Sequence, residues 1–261
     1  MIDIGANLAD KSFADDLDDV LARARAAGLE GIVVTGTSLD SSRRAVDLAR
    51  RHRTMLAATA GIHPHDAKAV DGPWIAELTA LASAIEVVAI GETGLDFNRN
   101  YSPAAAQRRA FGAQIELAGE MQLPLFVHDR DTAGETADML ERHGSGVPGI
   151  VIHCFTGSES ELQRYLEAGY YVGITGWVCD ERRGTGLRSL VTLIPADRLL
   201  IETDSPYLMP RNLEPRPQTR RNEPANLTWI AKELADIRGV PVEQLAAATA
   251  SNARRLFNLR L

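Results

Sequence analysis

The sequence predicts an α/β protein folded as a closed (β/α)8 barrel of the TIM type, on three observations. Short apolar runs bounded by turn residues alternate with longer helical segments eight times; this is the pattern of buried parallel strands joined by crossover helices. The chain has 261 residues, and such a barrel needs about 250. Four of the runs end on an acid or an imidazole: Glu92 after 87–91, His128 after 125–127, His153 after 150–152, and Asp204 after 199–201 by way of Glu202 and Thr203. Functional groups at the downstream ends of several strands mark the active face of a barrel.

Each element has a local reason. Strand 2–6 opens the chain, and Ser12 is placed to cap a helix over 12–27 that Gly28 closes. Strand 31–35 and helix 38–53 follow, then strand 55–61 and helix 73–82, with Pro73 in the first turn. Strand 86–90 leads to a long helix, 103–121, whose apolar positions include Phe111, Ile115 and Leu117. Strand 124–127 precedes helix 132–142, and strand 149–152 precedes helix 158–168. Strands 170–174 and 198–203 complete the set, and helices 224–237 and 241–256 end the chain. Residues 210–223, rich in Pro and Arg, read as an ordered loop over one barrel face. No linker-like stretch interrupts this rhythm, so residues 1–261 are expected to form one domain.

Composition narrows the function classes. A net charge of −7 argues against a broad basic nucleic-acid groove, although a metal and a few arginines suffice to hold one phosphate. Two cysteines, Cys154 and Cys179, form no metal or redox pattern and read as reduced thiols of a cytoplasmic protein. Cys154 points away from the face that carries His153. Neither a leader nor an apolar stretch of membrane-spanning length is expected.

Two imidazoles and two carboxylates at one barrel mouth make a mixed nitrogen and oxygen site for a divalent metal. Glu92, flanked by Gly91 and Gly94, is the candidate central carboxylate, and alone it would pass for a solvated loop acid. A lone histidine after an apolar run is usually a hydrogen-bonded core residue. His128 and His153 on neighbouring strands are within reach of one ion as neutral imidazoles. Asp204 is a fourth ligand or the base that activates water. Glu202 shares its strand face, deeper in the barrel, and reads as structural. His63, in Gly61-Ile62-His63-Pro64-His65, is placed to act on a substrate phosphate or leaving group. His65 is as readily an exposed turn residue. Arg130 offers a planar fork to a phosphate. The pairs Arg182-Arg183 and Arg220-Arg221 could steer a polyanion, but charge runs usually face water.

Read together, Gly91-Glu92-Thr93-Gly94-Leu95-Asp96, His153-Cys154-Phe155-Thr156-Gly157 and Glu202-Thr203-Asp204-Ser205-Pro206-Tyr207-Leu208 resemble the TatD family of metal-dependent deoxyribonucleases. Gly61-Ile62-His63-Pro64-His65 and Arg220-Arg221-Asn222-Glu223-Pro224 are also similar to its motifs, so the resemblance spans the chain. It implies a barrel of the metallo-dependent hydrolase superfamily. The implied activity is a 3′–5′ exonuclease preferring single-stranded DNA, with RNA a second substrate and a role in DNA repair or degradation. The expected cofactor is magnesium, with manganese or zinc compatible with the donors, and the expected state is a monomer. The family commonly opens with a His-x-His pair on the first strand, where this chain has Gly5 and Asn7. One tight metal site, at Glu92, His128 and His153, is therefore expected. A second, near Asp204 with Asn7 a candidate further donor, should be weak or substrate-dependent, and histidines restored at 5 and 7 should strengthen it. A hydrolase of amides, lactones or aminoacyl-tRNA esters on the same barrel is the alternative, and a non-catalytic binding protein is the third reading.

Overall fold

In the computed structural model, which describes residues 1–182, 184–215 and 217–259, eight strands pair in parallel in chain order. They are β1 (Ile2–Ala6), β2 (Gly31–Val34), β3 (Leu56–Ala60), β4 (Val87–Asp96), β5 (Leu125–Arg130), β6 (Ile150–Ile152), β7 (Tyr171–Ile174) and β8 (Leu199–Ile201). Between them run α1 (Leu17–Ala26), α2 (Leu39–Arg51), α3 (Trp74–Ala82), α4 (Ala104–Met121), α5 (Glu135–His143), α6 (Glu159–Glu167) and α7 (Thr185–Leu190). Helices α8 (Leu227–Arg238) and α9 (Val242–Phe257) follow β8. The architecture is the (β/α)8 barrel that the alternation predicts. No helix among the described residues is long and apolar enough to cross a membrane.

Strand alternation sorts the side chains into two layers. Ile32, Val34, Leu125, Val127, Ile150, Ile152, Leu199 and Ile201 point outward and pack under the helices. Ile2, Ile4, Val33, Ala89, Phe126, Val151 and Leu200 point into the barrel, where Ala250, Ala253, Leu256 and Phe257 of α9 join them. Helix α9 therefore plugs the end of the barrel at which the strands begin. Asn252 fixes it there, its Nδ2 donating to the carbonyls of Ala196 (2.8 Å) and Leu199 (2.9 Å). The opposite end stays free for polar groups.

The seam between β8 and β1 is closed by a side chain as well as by backbone. Asp204 N–H donates to Gly5 O at 2.8 Å, and Asn7 N–H to Ser205 O at 2.7 Å. Below them Asp3, fully buried, accepts from the Thr203 N–H (2.9 Å), the Thr203 hydroxyl (2.6 Å) and the Gly5 N–H (3.2 Å). Burial pushes the Asp3 carboxyl up to about 7, against these hydrogen bonds.

Several element boundaries differ from the sequence expectation. The helix expected over 12–27 is instead a 3-10 turn, Lys11–Phe13, followed by α1 from Leu17, and Asp10 rather than Ser12 caps the turn. Pro73 precedes α3 instead of lying in its first turn. Helix α5 begins at Glu135, because Ala133 and Gly134 both take positive φ, through which a right-handed helix cannot run. Strands β4 and β5 run on to Asp96 and Arg130, so Glu92 and His128 lie within strands rather than after them. A 3-10 turn, Gly176–Cys179, and α7 occupy the stretch after β7, where no regular structure was expected. Arg183, Arg216 and the last two residues of the expected 1–261 domain lie outside the described residues.

Asp3 generates a prediction about stability. Its carboxyl is near 3.8 unfolded and about 7 folded, so the folded state favours the protonated form. That preference is fully present below pH 4 and is lost as pH rises through 7, an effect of about 4 kcal/mol. Asp3→Asn, which keeps acceptors for both N–H groups, should therefore gain stability relative to the parent as pH rises from 4.5 to 8. Asp3→Ala also removes the titration but leaves buried donors unpaired, so it should be less stable than Asp3→Asn by roughly 2–3 kcal/mol at either pH. Urea midpoints at the two pH values test both; a parent–Asn difference that does not change with pH would remove the charge from the seam.

Candidate metal centre

The alternation that sends Phe126, Val151 and Leu200 into the barrel sends His128, His153, Glu202 and Asp204 into its mouth, two or four residues further along β5, β6 and β8. Glu92 does not follow this rule. Gly91 pairs with Phe126 and Thr93 with Val127, so Glu92 is an extra residue in the β4–β5 ladder. Such a bulge re-aims a side chain. The Glu92 N–H donates instead across the mouth, to Gly36 O at 2.7 Å.

Three imidazoles converge on one oxygen of this buried carboxylate. Glu92 Oε1 lies 2.7 Å from His153 Nε2, 3.1 Å from His128 Nδ1 and 3.2 Å from His63 Nε2. Burial works to raise the Glu92 pKa, but His153, His63 and His128 outweigh it and hold the carboxyl well below its usual range. Burial likewise disfavours charge on His153, yet Glu92 and Glu202 together hold its imidazole well above the ordinary value. His128 is raised too, by Asp96 and Glu92 against burial, whereas burial prevails at His63 and lowers it. Ligating atoms of His63, Glu92 and His128 all lie within 4.8 Å of one another.

Around this group lies a second layer. His65 Nε2 pairs with Asp96 Oδ2 at 2.7 Å, so His65 is half-buried and partnered rather than an exposed turn residue. His128 Nε2 faces the same Asp96 oxygen at 3.4 Å, close enough for an ion pair, but is buried without a hydrogen bond among the described residues. Glu202, read from sequence as structural, is fully buried and joined to the cluster through His153 Nδ1 (3.3 Å) and the Cys154 N–H (2.6 Å). Asp204 is half-buried beside the cluster. Burial, with the like charges of Glu92 and Glu202, pushes it up to about 8 against His153. Its Oδ1 accepts from Asn7 Nδ2 at 3.0 Å.

The donor set fits a divalent cation. Imidazole nitrogens gathered on one carboxylate oxygen, with an orphaned buried nitrogen at His128, are groups whose lone pairs a metal can take once their protons leave. The structure thus brings His63, expected to touch substrate, into the same cluster as Glu92, His128 and His153. Sequence reasoning missed Asp96 and the tie of Glu202 to His153. The parity of Glu202 with Asp204 on β8 was the available signal for the second; nothing in the sequence placed Asp96 against His128. Arg130 stands apart, half-buried in a groove of about 700 Å³ beside the cluster that Asp129, Thr156 and Trp177 also line. Arg221 is not free to steer a polyanion. It pairs with Asp16 through two nitrogens (2.7 and 2.6 Å) and lies 4.9 Å over the Phe13 ring.

The glycine at position 5 has a steric reason. A Cβ there would stand 2.4 Å from Glu202 Oε2, and one at Gly173 would stand 2.6 Å from Oε1. The Glu202 carboxylate fills the space that a first-strand side chain would use, so histidine at position 5 finds no room and cannot simply strengthen a second site. Gly5→Ala should cost roughly 1–3 kcal/mol by overpacking and weaken manganese binding in calorimetry. In a Glu202→Ala background the same change should cost less, only the Phe126 ring then standing close, at 3.0 Å; equal losses in both backgrounds would break the link.

A family model described as TatD related DNase matches residues 2–258. The chain is 51% identical over 261 residues to a 3′-5′ ssDNA/RNA exonuclease TatD of Citrobacter rodentium (strain ICC168), covering 100% of this chain and 99% of that one. It is 51% identical over 259 residues to the Salmonella typhimurium protein of the same name, covering 99% of each. Among solved structures, a hydrolase TatD family protein from Entamoeba histolytica superposes with a TM-score of 0.90 at 28% identity, over 98% of this chain and 97% of that one. The chain belongs to the family of TatD-related DNases.

Proposed function

We propose that the chain is a divalent-metal-dependent 3′–5′ exonuclease of single-stranded DNA and RNA, with a role in DNA repair or degradation. The observation that carries the hydrolytic reading is the convergence of His63, His128 and His153 on Glu92 Oε1, with Asp204 beside them. The substrate and polarity rest on relatives named as 3′-5′ ssDNA/RNA exonucleases that match the chain end to end at 51% identity. The continuous order of its eight strands supports a single barrel domain, proposed to act as a monomer. Two free cysteines support the cytoplasm.

Glu92, His63, His128 and His153 would hold the cation, with Asp204 the ligand that completes a second, weaker position. Magnesium is the proposed ion; manganese suits the nitrogen donors equally well. When bound, the cation supplies Lewis-acid polarisation of a phosphoryl oxygen and lowers the pKa of water. Asp204 accepts the proton of the attacking water at Oδ2, because Asn7 occupies Oδ1 and fixes the carboxylate. Without a cation the Asp204 carboxyl lies near 8 and holds its proton at neutral pH; a bound cation would lower it into the range in which it can accept that proton. Glu202 holds the far nitrogen of His153 and sets which of its ring nitrogens faces Glu92, and the charge of Asp96 faces the far nitrogen of His128 at 3.4 Å. Arg130 receives a phosphate further along the strand.

Glu92→Ala should remove activity, and Asp204→Asn should lower it by about 10²–10⁴-fold, on a 5′-labelled single strand. Shortening of the strand from its 5′ end, or turnover that survives a chelator, would contradict the assignment. Metal binding must also displace the protons that Glu92 holds on His128 and His153. Titration with manganese in buffers of different ionisation enthalpy should show proton release, and affinity should rise as pH increases above 6.5. Binding without proton release would place the ion elsewhere.

A further inference from the structure

We infer that Tyr101 and Tyr207 are two nucleobase platforms, on opposite sides of the barrel mouth, that hold the bases flanking the phosphate to be cleaved. The inference rests on the nuclease reading and adds to it the feature that selects single strands. Among the described residues, four large apolar or aromatic side chains are strongly exposed: Ile85, Leu193, Tyr101 and Tyr207, the tyrosines at 54% and 55%. Ile85 and Leu193 lie on connections that lead into β4 and β8, at the plugged end of the barrel. Both tyrosines lie on the loops that leave β4 and β8, at the end that carries the metal cluster. In a barrel of eight strands in chain order, β4 and β8 are four strands apart, and so face each other across the mouth.

Their rings are exposed, but their backbones are not loose. The hydroxyl of Ser102, next to Tyr101, is buried, donates to His65 O at 2.7 Å and accepts from the Lys68 N–H at 3.0 Å. The Tyr101 ring stands edge-on to the His65 ring, centroids 4.7 Å apart at 68°. Tyr207 donates its N–H to Asp204 O at 3.0 Å, and its carbonyl accepts from the buried Asn222 Nδ2 at 2.7 Å. Asn222 Nδ2 also donates to Thr203 O at 3.0 Å, which ties the loop back to β8. Burial raises the Tyr207 hydroxyl, and so do the charges of Asp10, Asp204 and Glu92, which places this ring in the field of the cluster carboxylates.

Pre-ordered rings beside a catalytic centre lose little entropy when a base stacks on them. Every base has a π-face, so stacking is tolerant of sequence and needs no 2′-hydroxyl. A base inside a duplex is already stacked and paired, and reaches a platform only by opening the helix. Two platforms therefore favour an unpaired 3′ end and accept DNA and RNA alike.

The test is a mutant cycle between protein and substrate, read as KM and kcat on single strands shortened by the full-length protein. Tyr101→Ala and Tyr207→Ala should each raise KM by roughly 5- to 100-fold, with kcat much less affected, and Tyr→Phe should restore the parent value. Strands with an abasic site at the terminal or the penultimate nucleotide complete the cycle. One abasic strand should abolish the effect of one tyrosine, and the other strand that of the second. A KM indifferent to either alanine, a loss in kcat that abasic strands leave unchanged, or a failure of phenylalanine to rescue would overturn the platforms. A parent protein that shortens no single strand would end the nuclease reading itself, and the platforms with it.

Discussion

One oxygen of one buried carboxylate organises this protein. Glu92 Oε1 lies within 3.2 Å of nitrogens from three histidines, carried by the β3–α3 turn, β5 and the end of β6. A charge so deeply buried is costly unless it is paired and hydrogen-bonded on several sides. Only a closed barrel brings three separate strand ends to one point. The arrangement therefore depends on barrel closure, and barrel closure depends on the seam at Asp3.

The polar layers stack in order along the barrel axis. At the base, α9 and the inward aliphatic residues exclude water. Phe126 then makes the floor of the centre, its ring centroid 4.7 Å from that of His153. Glu202 sits at this boundary, fully buried, and its carboxylate is admitted because Gly5 and Gly173 offer no side chains. Above it come the histidines and Glu92, and then the half-buried Asp204. The partners of each acid, rather than its depth, separate the acids by pKa. Glu92, with three imidazoles, stays ionised, whereas burial and two nearby acids push Asp204 up to about 8. Acid and base roles in one site are commonly set apart by environment in this way.

The departure from the family pattern at Gly5 and Asn7 is a coherent rearrangement. Glu202 occupies the volume beside Gly5, and Asn7 turns its amide to Asp204. Both positions serve the β8 carboxylates, so the first strand shapes and orients the site through its neighbours. The arginine pair at 220–221 shows the same economy of position. Arg221 fastens the irregular loop to Asp16 and Phe13, and the mouth keeps its shape without a basic surface.

Much of this was legible in the sequence. Alternating apolar runs determined the number and order of strands. Position at strand ends placed His128, His153 and Asp204 at one mouth, and period two put Glu202 on the face of Asp204, because strand geometry is local. The helix expected over 158–168 forms as α6, with a capping box between Ser158 and Glu161. Counting alone would have turned Glu92 outward; the β4 bulge reverses it, and a bulge depends on how two distant strands pair. The breadth of the cluster was hidden for the same reason. His63 reaches Glu92 from 29 positions away, and Asp96 meets His65 and His128 across separate loops. Composition and period report what each segment buries. Which ionisable groups share that burial, and so which are charged, was decided only when the barrel closed.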